Sequence, residues 1–217
     1  MTTLAADLLG SHLPAVGVPR YDRSEVRVGI VHFGVGGFHR AHQAAYLDEL
    51  MNDGTALDWG ICGVGVMPSD KAMADALAPQ DGLYTMVVKH PDGHREPRIV
   101  GSIVRFLYAP DSPEAVLDVL CAAETRIVSL TITEGGYNVN QVTHDFIRDD
   151  PAIVADLAPG AVPSTVFGYV IEALDQRRRL GIAPFTVMSC DNVQSNGHVA
   201  RRSFTAFAEL RDPALAA

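Results

Sequence analysis

The spacing of apolar residues changes period several times along the chain. From Val26 to Phe33 they run almost unbroken and are rich in β-branched side chains, which predicts a strand covered on both faces. The run breaks at Gly34-Val35-Gly36-Gly37. From Ala41 the period becomes helical, with Ala44, Leu47, Leu50 and Met51 on one stripe and Asp48 and Glu49 turned outward. Asn52-Asp53-Gly54 ends that helix. Trp59 to Val66 reads as a second buried strand, and Pro68-Ser69-Asp70 caps a short helix carrying Met73, Ala76 and Leu77.

Leu83 to His90 and Ile99 to Tyr108 then read as strands, joined through a Pro91-Asp92-Gly93 turn with no helix between them. That predicts an antiparallel insertion in an otherwise parallel sheet. Ser112-Pro113-Glu114 opens another helix, with Ser112 as cap and Val116, Leu117 and Leu120 as its apolar face. Arg126 to Thr133 is the next strand, and Tyr137 to Gly160 is polar enough to read as an irregular surface excursion. Ser164 to Leu180 reads as a helix whose end, Arg177-Arg178-Arg179, is solvated and complements the helix dipole. Phe185 to Ser189 is a further strand, and a last helix runs from Asn196-Gly197 to about Leu210. This alternation predicts an α/β fold: a doubly wound, mostly parallel sheet with a small antiparallel β insertion. Residues 1–25, holding Pro14, Gly17 and Pro19, read as an arm on a domain of residues 26–217.

Composition narrows the partners. With 217 residues, 47% hydrophobic and 20% charged, the chain can bury one proper core. A formal charge of −9 disfavours a nucleic-acid surface, so any bound phosphate must be held by backbone amides and a few local side chains. No basic, apolar leader opens the sequence, and no apolar run approaches the roughly 20 residues of a membrane helix. Cys62, Cys121 and Cys190 are widely spaced, which fits reduced thiols in a cytoplasmic protein better than a disulfide framework.

Strand, glycine turn and helix together suit a phosphate site. Phe33, Gly34, Val35, Gly36 and Gly37 form the turn, with Gly34 for its tightness and Gly36 for close approach of a pyrophosphate. Phe38, His39 and Arg40 begin the helix and offer N–H groups and a positive charge. A G-x-G-x-x-G pattern would need glycine at position 39, where His39 stands. Asp70 is the carboxylate nearest the end of the second strand; it either bonds an adenosine ribose or caps the helix. With no Arg or Lys there except Lys71, NAD is favoured over NADP. Glu134 and Gly135, with Gly136, either line the nicotinamide side or form a loop that needs positive φ. His39 and His42 lack the spacing and the further ligands of a zinc site, so no metal is expected. Asn192 is the catalytic candidate, its amide placed to stabilise charge on a carbonyl oxygen being reduced; the alternative is a loop-shaping Asn.

Gly34-Val35-Gly36-Gly37-Phe38-His39-Arg40-Ala41-His42 resembles the start of the mannitol dehydrogenase family, the metal-independent, long-chain polyol dehydrogenases, in which Phe-His-Arg-Ala-His follows the glycine turn. Asp81-Gly82-Leu83-Tyr84-Thr85, Thr133-Glu134-Gly135-Gly136-Tyr137 and Ser189-Cys190-Asp191-Asn192 carry the same resemblance in the same order. It implies a Rossmann-like NAD-binding domain, with Asn192 sharing the hydrogen bonding of the substrate oxygen. In the complete enzyme D-mannitol and NAD would give D-fructose and NADH; uronate and arabinitol are the rival substrates. The family's base is a Lys, followed by an Asn and a His, on one helix of a second, mostly helical domain. Lys71 and Lys89 are the only lysines here, and neither begins K-x-x-x-x-N-x-x-H. The resemblance therefore implies that the C-terminal catalytic domain is absent and the isolated chain inactive. An apolar patch along the strand ends and last helix, with self-association, is expected where that domain would sit. The alternative is a standalone dinucleotide-binding module, and behind it a doubly wound domain for another cofactor, such as a methyltransferase.

Overall fold

The computed structural model describes residues 4–12 and 15–216; Pro14, like Met1 to Thr3 and Ala217, lies outside them. Strand β1 (Val28–Phe33) leads through the glycine turn into α1 (Gly37–Ala41) and α2 (Gln43–Asn52), then β2 (Gly60–Gly65) and α3 (Lys71–Leu77). A hairpin, β3 (Tyr84–Lys89) and β4 (Arg95–Val100), precedes β5 (Ile103–Tyr108), α4 (Pro113–Cys121), β6 (Ile127–Leu130), α5 (Pro151–Asp156), α6 (Val166–Leu180), β7 (Thr186–Ser189) and α7 (Asn196–Arg211). Five strands pair in parallel in the order β5-β2-β1-β6-β7, and β3-β4 form a separate antiparallel pair.

Two cores flank the sheet, as double winding requires. Val31 and Phe33 of β1, with Val64 of β2, pack against α4, α6 and α7 through Val116, Leu120, Val170, Phe204 and Phe207. Ile30 and Ile61 belong to the opposite core, with Ala44 of α2, Leu77 of α3, Val100 of β4 and Ile103 of β5. Period-two alternation thus sends successive β1 residues to opposite layers.

Several expected elements take a different form. Ile99 to Tyr108 is two strands, split at Gly101-Ser102: β4 closes the hairpin, and β5 returns to the main sheet beside β2. Both halves are apolar, so the hydrophobic pattern carries no mark of the division. The excursion from Tyr137 to Gly160 contains α5, where Asp150 caps the N–H groups of Ala152 and Ile153 and Pro151 opens the first turn. Ser112 sits at the cap of α4 without a side-chain bond.

Asp48 does not face out. It is buried, accepting from the Tyr21 hydroxyl (2.7 Å) and the Gly101 N–H (2.8 Å), with Asn52 and Arg98 on its other oxygen. Residues 17–23 and the hairpin cover that face of α2: Gly17 pairs with β4, and the Arg23 side chain donates to the carbonyls of Asp81, Gly101 and Ile103. Leu50, expected in the apolar stripe, is exposed instead. Arg177 is likewise buried, donating to the carbonyls of Leu120, Ala122, Thr125 and Ala183, while Arg178 and Arg179 are exposed. Four carbonyls in fork geometry are what a guanidinium satisfies and an ammonium does not. The exposed face of α7 is mostly polar, with His198, Arg201, Arg202 and Glu209, and of the expected apolar patch it carries only Leu210 as a large exposed apolar side chain. Other exposed apolar side chains are scattered, among them Phe38, Tyr46 and Leu50 on α1 and α2, Met67 beyond β2 and Val154 on α5. No helix among the described residues is long and apolar enough to cross a membrane.

Candidate functional site

At the carboxyl ends of β1 and β6, a cleft of about 520 Å³ opens where the sheet order reverses direction. Such a switch point is where open α/β sheets bind ligands. Phe33 and Gly34 form its floor, Val66, Met67 and Asp70 one side, and Thr131, Ile132, Thr133, Gly135, Gly136 and Asn138 the other. Asp150, Ile153 and the start of α6, from Ser164 to Phe167, complete the lining.

The glycine turn is built for close approach. Gly34 has φ +91°, and a Cβ there would lie 2.1 Å from the Thr131 carbonyl oxygen, so no other residue fits. A Cβ at Gly37 would meet open space, and one at Gly36 would touch the Gly34 carbonyl oxygen alone, at 3.9 Å. Helix α1 starts at Gly37, earlier than the Ala41 that helical periodicity suggested, and its first bond beyond the turn runs from Arg40 N–H to Gly36 carbonyl. The N–H groups of Gly37, Phe38 and His39 precede that bond and have no helical acceptor. The chain breaks again at His42, whose ring Nδ1 lies 2.8 Å from the Phe38 carbonyl that its own N–H also uses.

His39 explains how a helix follows this turn without a third glycine. Its ring is buried and stacks on His32 of β1, centroids 3.5 Å apart and planes 12° from parallel. Flat imidazole on flat imidazole brings helix and strand close despite the side chains. Neither ring nitrogen of His39 has a hydrogen-bond partner. Burial lowers its pKa to about 4, and the Arg40 charge adds to the shift. Burial, then the His39 ring, holds His32 well below the ordinary imidazole value, so both rings are neutral near pH 7.

Beneath the turn His32 has a defined tautomer. Thr131 Oγ1 donates its proton to the Gly34 carbonyl (2.6 Å), which leaves Thr131 Oγ1 to accept from His32 Nε2 at 2.9 Å. In that tautomer His32 Nδ1 takes the Ser129 hydroxyl proton at 2.7 Å, in preference to the longer 3.2 Å contact of the same hydroxyl with Gln43 Oε1. A polar thread from β6 through β1 thus holds the carbonyl of the residue that makes the turn.

The remaining expected residues divide. Asp70 lines the cleft, and one of its oxygens accepts the Met67 N–H at 2.9 Å, so it closes its own turn while bordering the site. Gly135 lines the cleft, and Glu134 is exposed beside it. The positive φ expected at the Gly135-Gly136 pair falls instead on Thr133 (64°) and Asn138 (53°), which bracket a single 3-10 turn from Glu134 to Tyr137. Val35 is buried against Gly63, and the Arg40 guanidinium turns to the Val35 carbonyl, Met73 and the Tyr84 ring rather than into the cleft. Asn192 is exposed at the end of β7 and does not line the cleft itself. Its neighbour Asp191 reaches across to the loop that does. The lining contributed by α5 and α6 was missed in the sequence; the cap signals Asp150-Pro151 and Thr165 were the available marks. Among the described residues no group of three or more His, Cys, Asp or Glu side chains converges as a metal site would need.

A five-stranded parallel sheet with this order, double winding and a glycine turn under the crevice defines the molecule as a Rossmann-type α/β domain. Residues 28–217 match the mannitol dehydrogenase Rossmann domain, and the chain belongs to the mannitol dehydrogenase family. It is 49% identical over 206 residues to a mannitol 2-dehydrogenase of Phaeosphaeria nodorum, covering 95% of this chain and 36% of that protein. A mannitol 2-dehydrogenase of Pyricularia oryzae is 46% identical over 213 residues, covering 97% of this chain and 42% of that protein. The structure superposes on Pseudomonas fluorescens mannitol 2-dehydrogenase, solved as a ternary complex with NAD and D-mannitol, with a TM-score of 0.95 and 48% identity over 99% of this chain and 44% of that one. A D-sorbitol dehydrogenase solved in substrate-free form gives a TM-score of 0.93 at 46% identity, again covering 99% of this chain and 44% of that one. The chain thus spans well under half the length of the relatives it matches.

Proposed function

We propose that this chain is the NAD-binding part of a polyol dehydrogenase acting on mannitol. The observation that carries the proposal is the glycine turn under the switch-point cleft: three N–H groups without helical acceptors, next to glycines whose missing Cβ atoms leave the approach open. In this reading Gly34, Gly36 and Gly37 bring the backbone to the pyrophosphate, and the N–H groups of Gly37, Phe38 and His39 bond it. Asp70 uses its second carboxylate oxygen on the adenosine ribose, which favours NAD over NADP. Glu134 and Gly135 border the nicotinamide end. When bound, NAD supplies the hydride acceptor.

Asn192 is proposed to donate to the substrate oxygen, where charge builds as hydride moves. Proton transfer at that oxygen needs a base near operating pH. Neither lysine of this chain lines the cleft: Lys71 pairs with Asp75, and Lys89 lies on β3 of the hairpin. We infer that the base comes from the part of the relatives' length that this chain does not span. Identities of 49% and 48% to mannitol 2-dehydrogenases support mannitol as the substrate, and the 46% to a D-sorbitol dehydrogenase supports the wider polyol class. Three free cysteines support a reducing, cytoplasmic setting.

The test is an NADH fluorescence titration run beside a mannitol turnover assay. Saturable NADH binding without turnover is the expected result. Turnover by the 217-residue chain would refute the external base, and absence of saturable binding would refute the dinucleotide reading.

A further inference from the structure

Thr133 borders the cleft in a conformation that β-branched residues avoid, φ 64° and ψ 171°. The cause of its persistence lies on another loop, in the side chain of Asp191. Asp191 Oδ1 accepts the Thr133 N–H at 2.9 Å, and Oδ2 accepts the Ile132 N–H at 3.1 Å and the hydroxyl of the buried Tyr137 at 2.7 Å. One carboxylate thus grips both ends of the segment that leads into and out of the Glu134 turn. The loop bearing Asp191 is fixed in return: Asn196 Nδ2 donates to the Asp191 carbonyl at 3.0 Å and to the Ser189 carbonyl at 3.2 Å. Asn192 is the next residue, exposed and making no side-chain hydrogen bond among the described residues.

We propose that Asp191 is a positioning residue, clamping the strained Ile132-Thr133 backbone so that the loops after β6 and β7 form one rigid wall at the nicotinamide end of the site. It acts through Thr133 and through the backbone of Asn192, and touches neither cofactor nor substrate. This role rests on the dinucleotide reading above. It is independent of the pyrophosphate end, because no bond of Asp191 reaches the glycine turn or Asp70.

The experiment compares the affinities of the full 217-residue chain for NADH and for ADP, which lacks the nicotinamide half. Asp191→Asn is nearly isosteric and loses the charge that serves three donors. It is expected to weaken NADH binding by about tenfold or more, the scale of one charge-assisted hydrogen bond, and to leave ADP binding unchanged. Tyr137→Phe removes one donor and keeps the carboxylate, so it should shift NADH affinity less and in the same direction. Adding Thr133→Gly to Asp191→Asn should restore part of the lost NADH affinity, because glycine holds φ 64° unaided. Unchanged NADH affinity in Asp191→Asn, or equal losses for NADH and ADP, would overturn the role. So would NADH binding no tighter than ADP in the unsubstituted chain. Failure of the unsubstituted chain to bind either nucleotide would instead sink the dinucleotide reading, and this role with it.

Discussion

Gly34 and His39 divide what a residue's letter can tell from what its surroundings decide. The glycine was readable because a strand followed at once by Gly-x-Gly leaves few other uses, and the structure gives the reason in a 2.1 Å clash for any Cβ. Gly34→Ala should therefore destabilise by at least the roughly 1–3 kcal/mol of a strained backbone, read as a lowered urea midpoint, and should abolish NADH binding. His39 looked like a missing glycine until its stacking on His32 appeared, a contact between residues of different elements that no local pattern encodes. Its buried ring makes stability depend on pH. As pH falls through about 6.5 the unfolded chain takes up a proton at His39, while the folded chain does so only near 4. In that window the unfolded state holds more protons, so stability falls as pH falls, by about 1.4 kcal/mol per pH unit for each such histidine. Urea melts between about pH 6.5 and pH 5 should show this loss, and His39→Phe, which keeps a flat ring, should flatten the slope.

Among elements, those with a clear period were legible and those defined by distant partners were not. Four of the five main strands, β1, β2, β6 and β7, and α2, α4, α6 and α7, fall close to where alternation or helical spacing put them, whereas β5 was expected in the antiparallel insertion and pairs in parallel with β2 instead. The β4–β5 division escaped because the residues on either side of it, Ile99-Val100 and Ile103-Val104, are apolar and only a two-residue step separates the strands. Helix α5 escaped because its segment is polar, although Asp150-Pro151 marks its start. Asp48 and Arg177 were misread because a charged residue at a helical spacing normally meets water, and here a distant segment covers it. Arg177 is the tie between α6 and the end of α4. Arg177→Met would leave the carbonyls of Leu120, Ala122, Thr125 and Ala183 without their donor, at a cost on the order of 3 kcal/mol. Arg177→Lys should recover little of it, since an ammonium cannot match the fork. Thermal melts of the two variants check this.

At the scale of the whole molecule, ligand binding and folding are linked. If the cleft takes NADH only when folded, NADH at about a hundred times its Kd should add about 2.7 kcal/mol to stability. A thermal shift that grows with the logarithm of NADH concentration is the expected readout, and ADP should give a smaller one. The fold class and the glycine turn could be derived from sequence because each depends on a continuous stretch. The cleft's far wall could not, since it joins residues from Thr131 to Phe167 that meet only in three dimensions. A self-associating surface was expected along the strand ends and last helix, where Met67 and Leu210 are exposed, and Phe38, Tyr46 and Leu50 on α1 and α2 expose further apolar material. Sedimentation of the chain and of a Tyr46→Lys variant should therefore differ, the variant being the smaller species.

The thread from Ser129 through His32 and Thr131 to the Gly34 carbonyl leaves the molecule with a built-in spectroscopic reporter. A neutral imidazole whose proton resides on Nε2 has a nitrogen resonance pattern distinct from that of the other tautomer, and exchange with solvent is slow in so dry a place. Because that proton points to the oxygen holding the turn's geometry, a diphosphate settling on the neighbouring amides should displace the His32 signals without touching the ring.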